Sequence, residues 1–457
     1  MNDIINKEYK ENIFDGSGEL NITDFVLSDQ GYKGFWKDAN KSKNSFLAEE
    51  QLTAVERRII WSCNKVNMTN VNAVHKVSEI AAETMKYHIA GEASIQDSVK
   101  GCMTYDYRQP CTVLLRGIGN LPNSQTGSPG AQPRYLSCTG TPLLSAIIDD
   151  IQFIDKVKDE TGLEQPEYVS LPIPRALIKG VHQIGIGRSC IIVERDARAI
   201  IDWIEDMFVF GNENSSIPNP ITQTTADIYE NKSNGYVYVT SEIIRDGKFD
   251  VITSIPPKNN ARMVINKLKS KLPQKIAEKI KDGSGNSRDV AIYVPSGYIT
   301  EKDYIKFGLR TARKEAPFIW DNELDTMRLS DLREIAEIWF NDRKRIVTLR
   351  LESNKAANDV KIKKIDLIKL FVEKEMNKWT VDKITEELGE DDANIVLSQP
   401  QRAFLKENLE KNCITRDELV EKNNEINNLI ENIGQVVIDE AREIIEVQEE
   451  FFNNSNI

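Results

Sequence analysis

SCIIVERDARAIIDWIEDMF, residues 189–208, decides how the chain is read. SCIIVERD (189–196) is an apolar strand that ends in acids, and ARAIIDWIEDMF (197–208) is a helix directly behind it. A strand feeding a helix is half of a βαβ unit, and similar pairs lie on both sides. Upstream, TPLLSAIIDDIQFIDKV (141–157) predicts an amphipathic helix, with Thr141 placed to cap it and Pro142 in its first turn. EYVSLPI (167–173) reads as a strand and RALIKGVHQIG (175–185) as a helix. Downstream, TTADIYE (224–230) is a short strand, YVYVTSEII (236–244) an inserted one, and FDVITSIPP (249–257) an apolar strand stopped by prolines. NARMVINKLKSKLPQKIAEKIKDG (260–283) is helical, with Pro273 starting its second part, and RDVAIYVPSGYI (288–299) is a strand. This alternation predicts an α/β domain over 137–357, a mostly parallel sheet covered by helices on both faces.

Outside that block the pattern changes. Residues 1–136 form an amino-terminal extension that begins polar, with GSG at 16–18 and no sustained period. Helical spacing then appears in Ala54, Ile59, Ile60 and Cys63, and again in Val77, Ile80, Ala81 and Met85. After the apolar run CTVLL (111–115), the turn-rich NLPNSQTGSPGAQP (120–133) reads as a boundary or a long surface loop. Residues 358–445 predict helices alone, a small helical domain, and residues 446–457 a frayed tail.

With 40% apolar and 28% charged residues, the chain is neither collagen-like nor wholly disordered. No run of 18 apolar residues is present, so no membrane partner is expected. Six scattered cysteines without a CxxC read as reduced thiols, which predicts an intracellular protein. Three distant histidines and no HExxH give no metal site, and the adjacent Asp149 and Asp150 point apart on a helix. The first 50 residues hold 6 lysines, no arginine and 10 acids, unlike an organelle presequence. The net charge of −12 is uneven: residues 251–300 sum to +6, between acidic blocks of −6 over 201–250 and −7 over 401–457. The basic block fits either a nucleic-acid footprint or a solvated helix face.

In an open parallel sheet the ligand sits beyond the carboxyl ends of the strands. There the reading puts Leu171 in LPIPR, Glu194, Asp227, and Ser254-Ile255-Pro256-Pro257 followed by Lys258. An acid after the second strand suits a ribose, and an acid after the third suits an adenine amino group. Glu194 and Asp227 fit equally as ordinary strand-end acids.

This layout resembles the class I S-adenosylmethionine methyltransferase fold. More narrowly, it is similar to the ribosomal-RNA adenine dimethylase family and its mitochondrial transcription factor B-like branch. Ser254-Ile255-Pro256-Pro257 occupies that family's Asn-Leu-Pro-Tyr position, and residues 364–425 resemble its carboxyl-terminal domain. The resemblance implies a Rossmann-like sheet and a helical carboxyl-terminal domain. Two departures, no glycine in LPIPR and Ser and Pro at 254 and 257, imply a catalytically degenerate protein with no cofactor. Leu171, Glu194 and Asp227 would then be a vestigial cofactor site, and Lys258, Lys267, Lys271 and Lys275 the nucleic-acid surface. The implied role is a mitochondrial transcription initiation factor that binds single-stranded or melted DNA, or RNA, beside an RNA polymerase or another protein. Two alternatives stand: an active adenine N6-methyltransferase that uses S-adenosylmethionine on RNA or DNA, and an inactive scaffold subunit of a methyltransferase complex.

Overall fold

Among the described residues, antiparallel pairing organises every sheet. The computed structural model describes residues 22–29, 31–41, 46–68, 72–104, 109–123, 126–158, 162–220, 228–231, 236–245, 247–256, 259–284, 290–322 and 324–454. The chain divides into two compact units, one of residues up to 343 together with 438 onward, the other of residues 344–437.

The first unit begins with helices α1 (Ile22–Leu27), α2 (Tyr32–Ala39) and α3 (Ala54–Lys65). Thr53 starts α3 with a capping box: its Oγ1 accepts from the Glu56 N–H at 3.3 Å, and its own N–H donates to Glu56 Oε2 at 3.0 Å. Ile59, Ile60 and Cys63 are buried, as their helical spacing predicts. Strand β1 (His75–Lys76) leads into α4 (Val77–Thr84) and α5 (Glu92–Met103); β2 (Leu115–Ile118) and β3 (Ser137–Gly140) complete a sheet of order β1-β3-β2. Helix α6 (Pro142–Asp150) follows, capped as expected by Thr141, whose Oγ1 accepts from the Leu144 N–H at 3.2 Å.

Next come the hairpin β4 (Lys156–Lys158) and β5 (Glu164–Pro166), helix α7 (Arg175–Lys179), the hairpin β6 (Val181–Ile184) and β7 (Ser189–Ile192), and α8 (Ala197–Phe208). Two further sheets interleave in sequence. Strands β8 (Ile228–Asn231) and β9 (Tyr236–Thr240) join β14 (Arg310–Lys314) in the order β14-β9-β8. Strands β10 (Ile243–Arg245), β11 (Phe249–Ile252), β12 (Lys281–Asp282) and β13 (Ile292–Pro295) form the order β10-β11-β13-β12. Helices α9 (Ala261–Lys271), α10 (Gln274–Ala277) and α11 (Tyr304–Phe307) accompany them, and the hairpin β15 (Phe318–Asp321) and β16 (Thr326–Leu329) closes the series. Ile252, Val264, Leu268, Ile292, Val294 and Phe307 meet in one buried cluster, so α9 packs its apolar stripe on this sheet.

The expected Rossmann-like parallel sheet is therefore corrected: every named strand pair is antiparallel. Residues 175–185 are not one helix. The helix stops at Lys179, because Gly180 takes φ +73°, where an added Cβ would meet Ile192 O at 2.8 Å. The chain then returns as β6 along β7, turning at Gly187 (φ +80°). The strand SCII, expected inside a parallel sheet, is thus half of a hairpin. Likewise β13 runs back along β11, Phe249 opposite Pro295, although α9 lies between them in sequence. EYVSLPI joins no named strand; it runs as a buried segment whose Leu171 C=O accepts from Trp339 Nε1 at 2.8 Å.

Helix α12 (Leu332–Glu373) carries the chain from the first unit into the second, which also holds α13 (Val381–Leu388), α14 (Glu390–Leu397) and α15 (Lys406–Glu431). Helices α12 and α15 run antiparallel there, since Lys355, Asn358 and Asp366 pair with Asn427, Asn423 and Arg416 in turn. Leu367, Phe371, Met376, Ile384 and Val396 form this unit's core. Helix α16 (Ile433–Asn453) brings the chain back. In the first unit Arg343 reaches Asp150 Oδ2 at 2.9 Å and Glu440 Oε2 at 3.5 Å.

Candidate functional site

Helices α4 and α5 form a helix-turn-helix, and the hairpin β2–β3 stands beside it as a wing. The wing's returning strand β3 is entered through a short 3-10 turn, Pro133–Tyr135, that packs on both helices. Pro133 sets the turn, its fixed φ suiting a first helical position. Tyr135 follows with its side chain 64% exposed, the Arg134 guanidinium 4.9 Å from its ring centroid. The next residue, Leu136, is fully buried, and its C=O accepts from the Val77 N–H at 3.2 Å. A rigid anchor thus sits one residue from an exposed phenol. Exposed Lys76 on β1 pairs in register with Ser137, which puts a second cation on the neighbouring strand.

The loop ahead of the turn is held by close backbone approach. At Gly130 (φ +67°) an added Cβ would lie 2.6 Å from Pro122 N, and the Ala131 N–H donates to Asn120 O at 2.7 Å. Gly127 leaves room for the Asn260 side chain, which caps α9, so the basic helix starts against this loop. From behind, Gln448 on α16 is fully buried: its Nε2 donates to Val113 O at 2.7 Å and its Oε1 accepts from the Leu143 N–H at 3.0 Å. These bonds hold the segments entering β2 and leaving β3.

The chemistry available follows from exposure. Burial pushes the Cys102, Cys138 and Cys190 thiols up to about 12 and holds Cys63 well above its ordinary value, so all four stay protonated and poorly nucleophilic. Tyr135 is an exposed nucleophile-bearing side chain with cationic Arg134 against its ring. Deeper in the same unit, burial alone would raise the Glu56 carboxyl. The Arg175 and Lys179 charges and the Thr53 N–H overcome that and hold it down at about 2. Six residues earlier, burial drives Glu50 up to about 7 despite Arg57. Among the described residues no group of three or more His, Cys, Asp or Glu is arranged to hold a metal.

The residues singled out from sequence fall elsewhere. Ser254 is buried and its Oγ accepts from the Glu242 N–H at 2.7 Å; Ile255 and Pro256 are buried beside it. Leu171 lies in the core under Trp339, and Glu194 lies against Gly180, close enough to support the Arg313 charge. Asp227, Pro257 and Lys258 lie outside the described residues. Lys267 and Lys271 are brought together over the segment before β14, with Lys267 Nζ 3.4 Å from Asn259 Oδ1 and Lys271 Nζ donating to Lys306 O at 3.0 Å. Lys275 is exposed on α10. Sequence alone reads 120–133 as a loop and gives Arg134 and Tyr135, just beyond it, no role. An Arg-Tyr pair closing a turn-rich segment ahead of a short strand was the available signal.

The profile of the family described as the A subunit of DNA gyrase/topoisomerase IV matches residues 51–442. The DNA topoisomerase 4 A subunit of Borreliella burgdorferi is 26% identical over 249 residues, 53% of this chain and 38% of that protein. The DNA gyrase A subunit of Halalkalibacterium halodurans is 26% identical over 247 residues, 50% of this chain and 29% of that protein. DNA topoisomerase 2-beta of Gallus gallus is 24% identical over 204 residues, 44% of this chain and 12% of that protein. The chain thus matches well under half the length of these curated relatives. These matches overturn the adenine dimethylase resemblance, and with it the degenerate transcription factor and both methyltransferase alternatives, and they give no support to an RNA polymerase partner. Weak motifs in a plausible order supported that resemblance only while the sheet was taken as parallel. Among the described residues no helix is long and apolar enough to cross a membrane. With a matching profile that runs from the capping box of α3 through the wing and into α16, the chain belongs to the DNA gyrase/topoisomerase IV A-subunit family.

Proposed function

We propose that this chain is a DNA-cleaving subunit of a topoisomerase, working on duplex DNA together with a second polypeptide. The observation that carries this reading is Tyr135, an exposed phenol on a turn pinned to a helix-turn-helix, with Arg134 against its ring. Changing DNA topology requires a strand to open and reseal, and a covalent nucleophile keeps the bond energy in the protein–DNA link. Tyr135 Oη attacks a backbone phosphorus and a phosphotyrosyl diester forms. The bond from phosphorus to one deoxyribose oxygen breaks, and that oxygen takes up the proton the phenol gives up. The reverse attack by the sugar hydroxyl restores the strand and frees Tyr135. Arg134 and Lys76 suit the charge that builds on the phosphate oxygens during each transfer.

The test uses a duplex with a bridging phosphorothiolate, whose thiol leaving group reseals poorly and traps the cleaved state. Wild-type protein gives a denaturation-resistant protein–DNA adduct; Y135F, which keeps the ring, binds the duplex but gives none. An adduct that persists in Y135F, or a bound wild type that forms none, refutes the assignment.

A further inference from the structure

Helix α9 covers one face of the sheet β10-β11-β13-β12, where Ile252, Ile292 and Val294 are buried with Val264 and Leu268. Strand side chains alternate, so the register sets what the opposite face carries. Ile244, Val251, Tyr293 and Lys281 pair across the four strands in one row. Phe249, opposite Pro295, belongs to the next row on that same face. Ile244 is 54% exposed and Tyr293 36%; Lys281 is exposed, and Val251 and Phe249 are half-buried. The solvated face of an antiparallel sheet is ordinarily polar. This one carries two aliphatic side chains and two aromatic rings across its middle.

The rings come from the two central strands. Phe249 of β11 and Tyr293 of β13 lie 6.2 Å apart between centroids, with their planes at 89°. Gly283, just past β12, leaves room for the Tyr293 ring: an added Cβ there would lie 2.7 Å from Tyr293 Cε2. The acids nearby are engaged. Asp250 is buried and pairs with Arg245 at 3.2 Å, Glu242 Oε2 accepts from Thr253 Oγ1 at 2.9 Å, and Asp282 accepts from the Ser284 N–H at 3.0 Å. Exposed Lys281 stands in the same row as Tyr293, and exposed Lys248 precedes Phe249.

Aromatic rings on the central strands of a four-stranded antiparallel sheet, with cations at the rim, form a platform on which successive bases stack while the backbone follows the charges. A duplex hides its base faces, so such rings meet bases only where a strand is unpaired. A protein's apolar surface laid here would cover Lys281 without a counter-charge, whereas a backbone phosphate supplies one.

We propose that the open face of this sheet binds an unpaired nucleic-acid strand, with bases stacked on Tyr293 and Phe249 and a backbone phosphate at Lys281. The site uses none of the groups around Tyr135 and does not rest on the strand-cleavage reading. The full chain is titrated with labelled oligothymidylate and oligouridylate of about 12 nucleotides, and with a blunt duplex as control. At least one of the two strands binds saturably. Y293A weakens that binding about tenfold and Y293F, which keeps the ring, by under about twofold, while affinity for the duplex is unchanged. K281Q lowers the slope of log affinity against log salt by about 0.7. In the wild type, 5-iodouracil placed in the bound strand photo-cross-links to Tyr293 or Phe249, a readout that needs no variant to fold. Three results each overturn the proposal: no saturable binding of either strand, cross-links elsewhere with unchanged affinity in Y293A, or a wild-type dimer in sedimentation that Y293A dissolves while strand binding persists.

Discussion

Glu50, just ahead of the capping box of α3, and Glu56, one of its two members, are shifted in opposite directions, which gives the first unit a stability profile that two isosteric variants can dissect. Burial raises Glu50 from 4.5 to about 7, so its protonated form is favoured in the folded chain. That contribution is present below pH 4.5 and is lost as pH rises through 7. A shift of 2.5 units corresponds to about 3 kcal/mol, and the part falling between pH 5 and pH 8 is about 2.5 kcal/mol. Glu50→Gln removes the titration while keeping the shape. The stability of E50Q relative to wild type therefore rises by about 2–3 kcal/mol from pH 5 to pH 8. Loss of the Arg57 contact offsets both pH values alike and leaves this difference intact. Glu56 behaves oppositely: held at about 2, it stabilises above pH 4.5, and the contribution fades as pH falls toward 2. The advantage of wild type over E56Q is therefore largest at neutral pH and shrinks by about 2 kcal/mol by pH 3. Urea unfolding followed by circular dichroism at each pH reads these differences from midpoints at constant slope. A gap between wild type and E50Q that stays within about 0.5 kcal/mol across pH 5–8 refutes the argument.

Arg343→Met leaves Asp150 buried without its 2.9 Å partner and lowers stability by about 3–5 kcal/mol, while the double variant with Asp150→Leu recovers much of the loss in the same urea assay. Thr53→Ala opens the capping box of α3 and costs about 1 kcal/mol in midpoint-derived stability. Gly130→Ala forces a Cβ to within 2.6 Å of backbone at φ +67°, so thermal melting shows a lower transition and trapped adduct falls together with it. If α9 and α10 lie along bound DNA, K269Q and K275Q each reduce the slope of log affinity against log salt by about 0.9, measured by fluorescence anisotropy.

Local features were legible in the sequence wherever a short-range rule decides them. Thr141 and Pro142 start α6, and Ile59, Ile60 and Cys63 face inward on α3. Strand direction was not legible. A strand, a helix and a second strand show the same periodicity whether the second strand runs parallel or returns, and β11 and β13 return. Gly180 carried the decisive information, since a glycine in the left-handed region ended a helix that periodicity extended to residue 185. The site was missed for a related reason. The Arg134-Tyr135 turn has no motif around it, and the support for the strands beside it comes from partners far away in sequence, such as Gln448.

The second unit leaves the first at Arg343 and rejoins it at Ile438, and the two junctions lie side by side, as the 3.5 Å approach of Arg343 to Glu440 records. An insert whose ends meet closes its own loop. The 94 residues from Lys344 to Val437 are therefore an insert entered and left at one place on the first unit, through helices α12 and α16 that continue across both junctions.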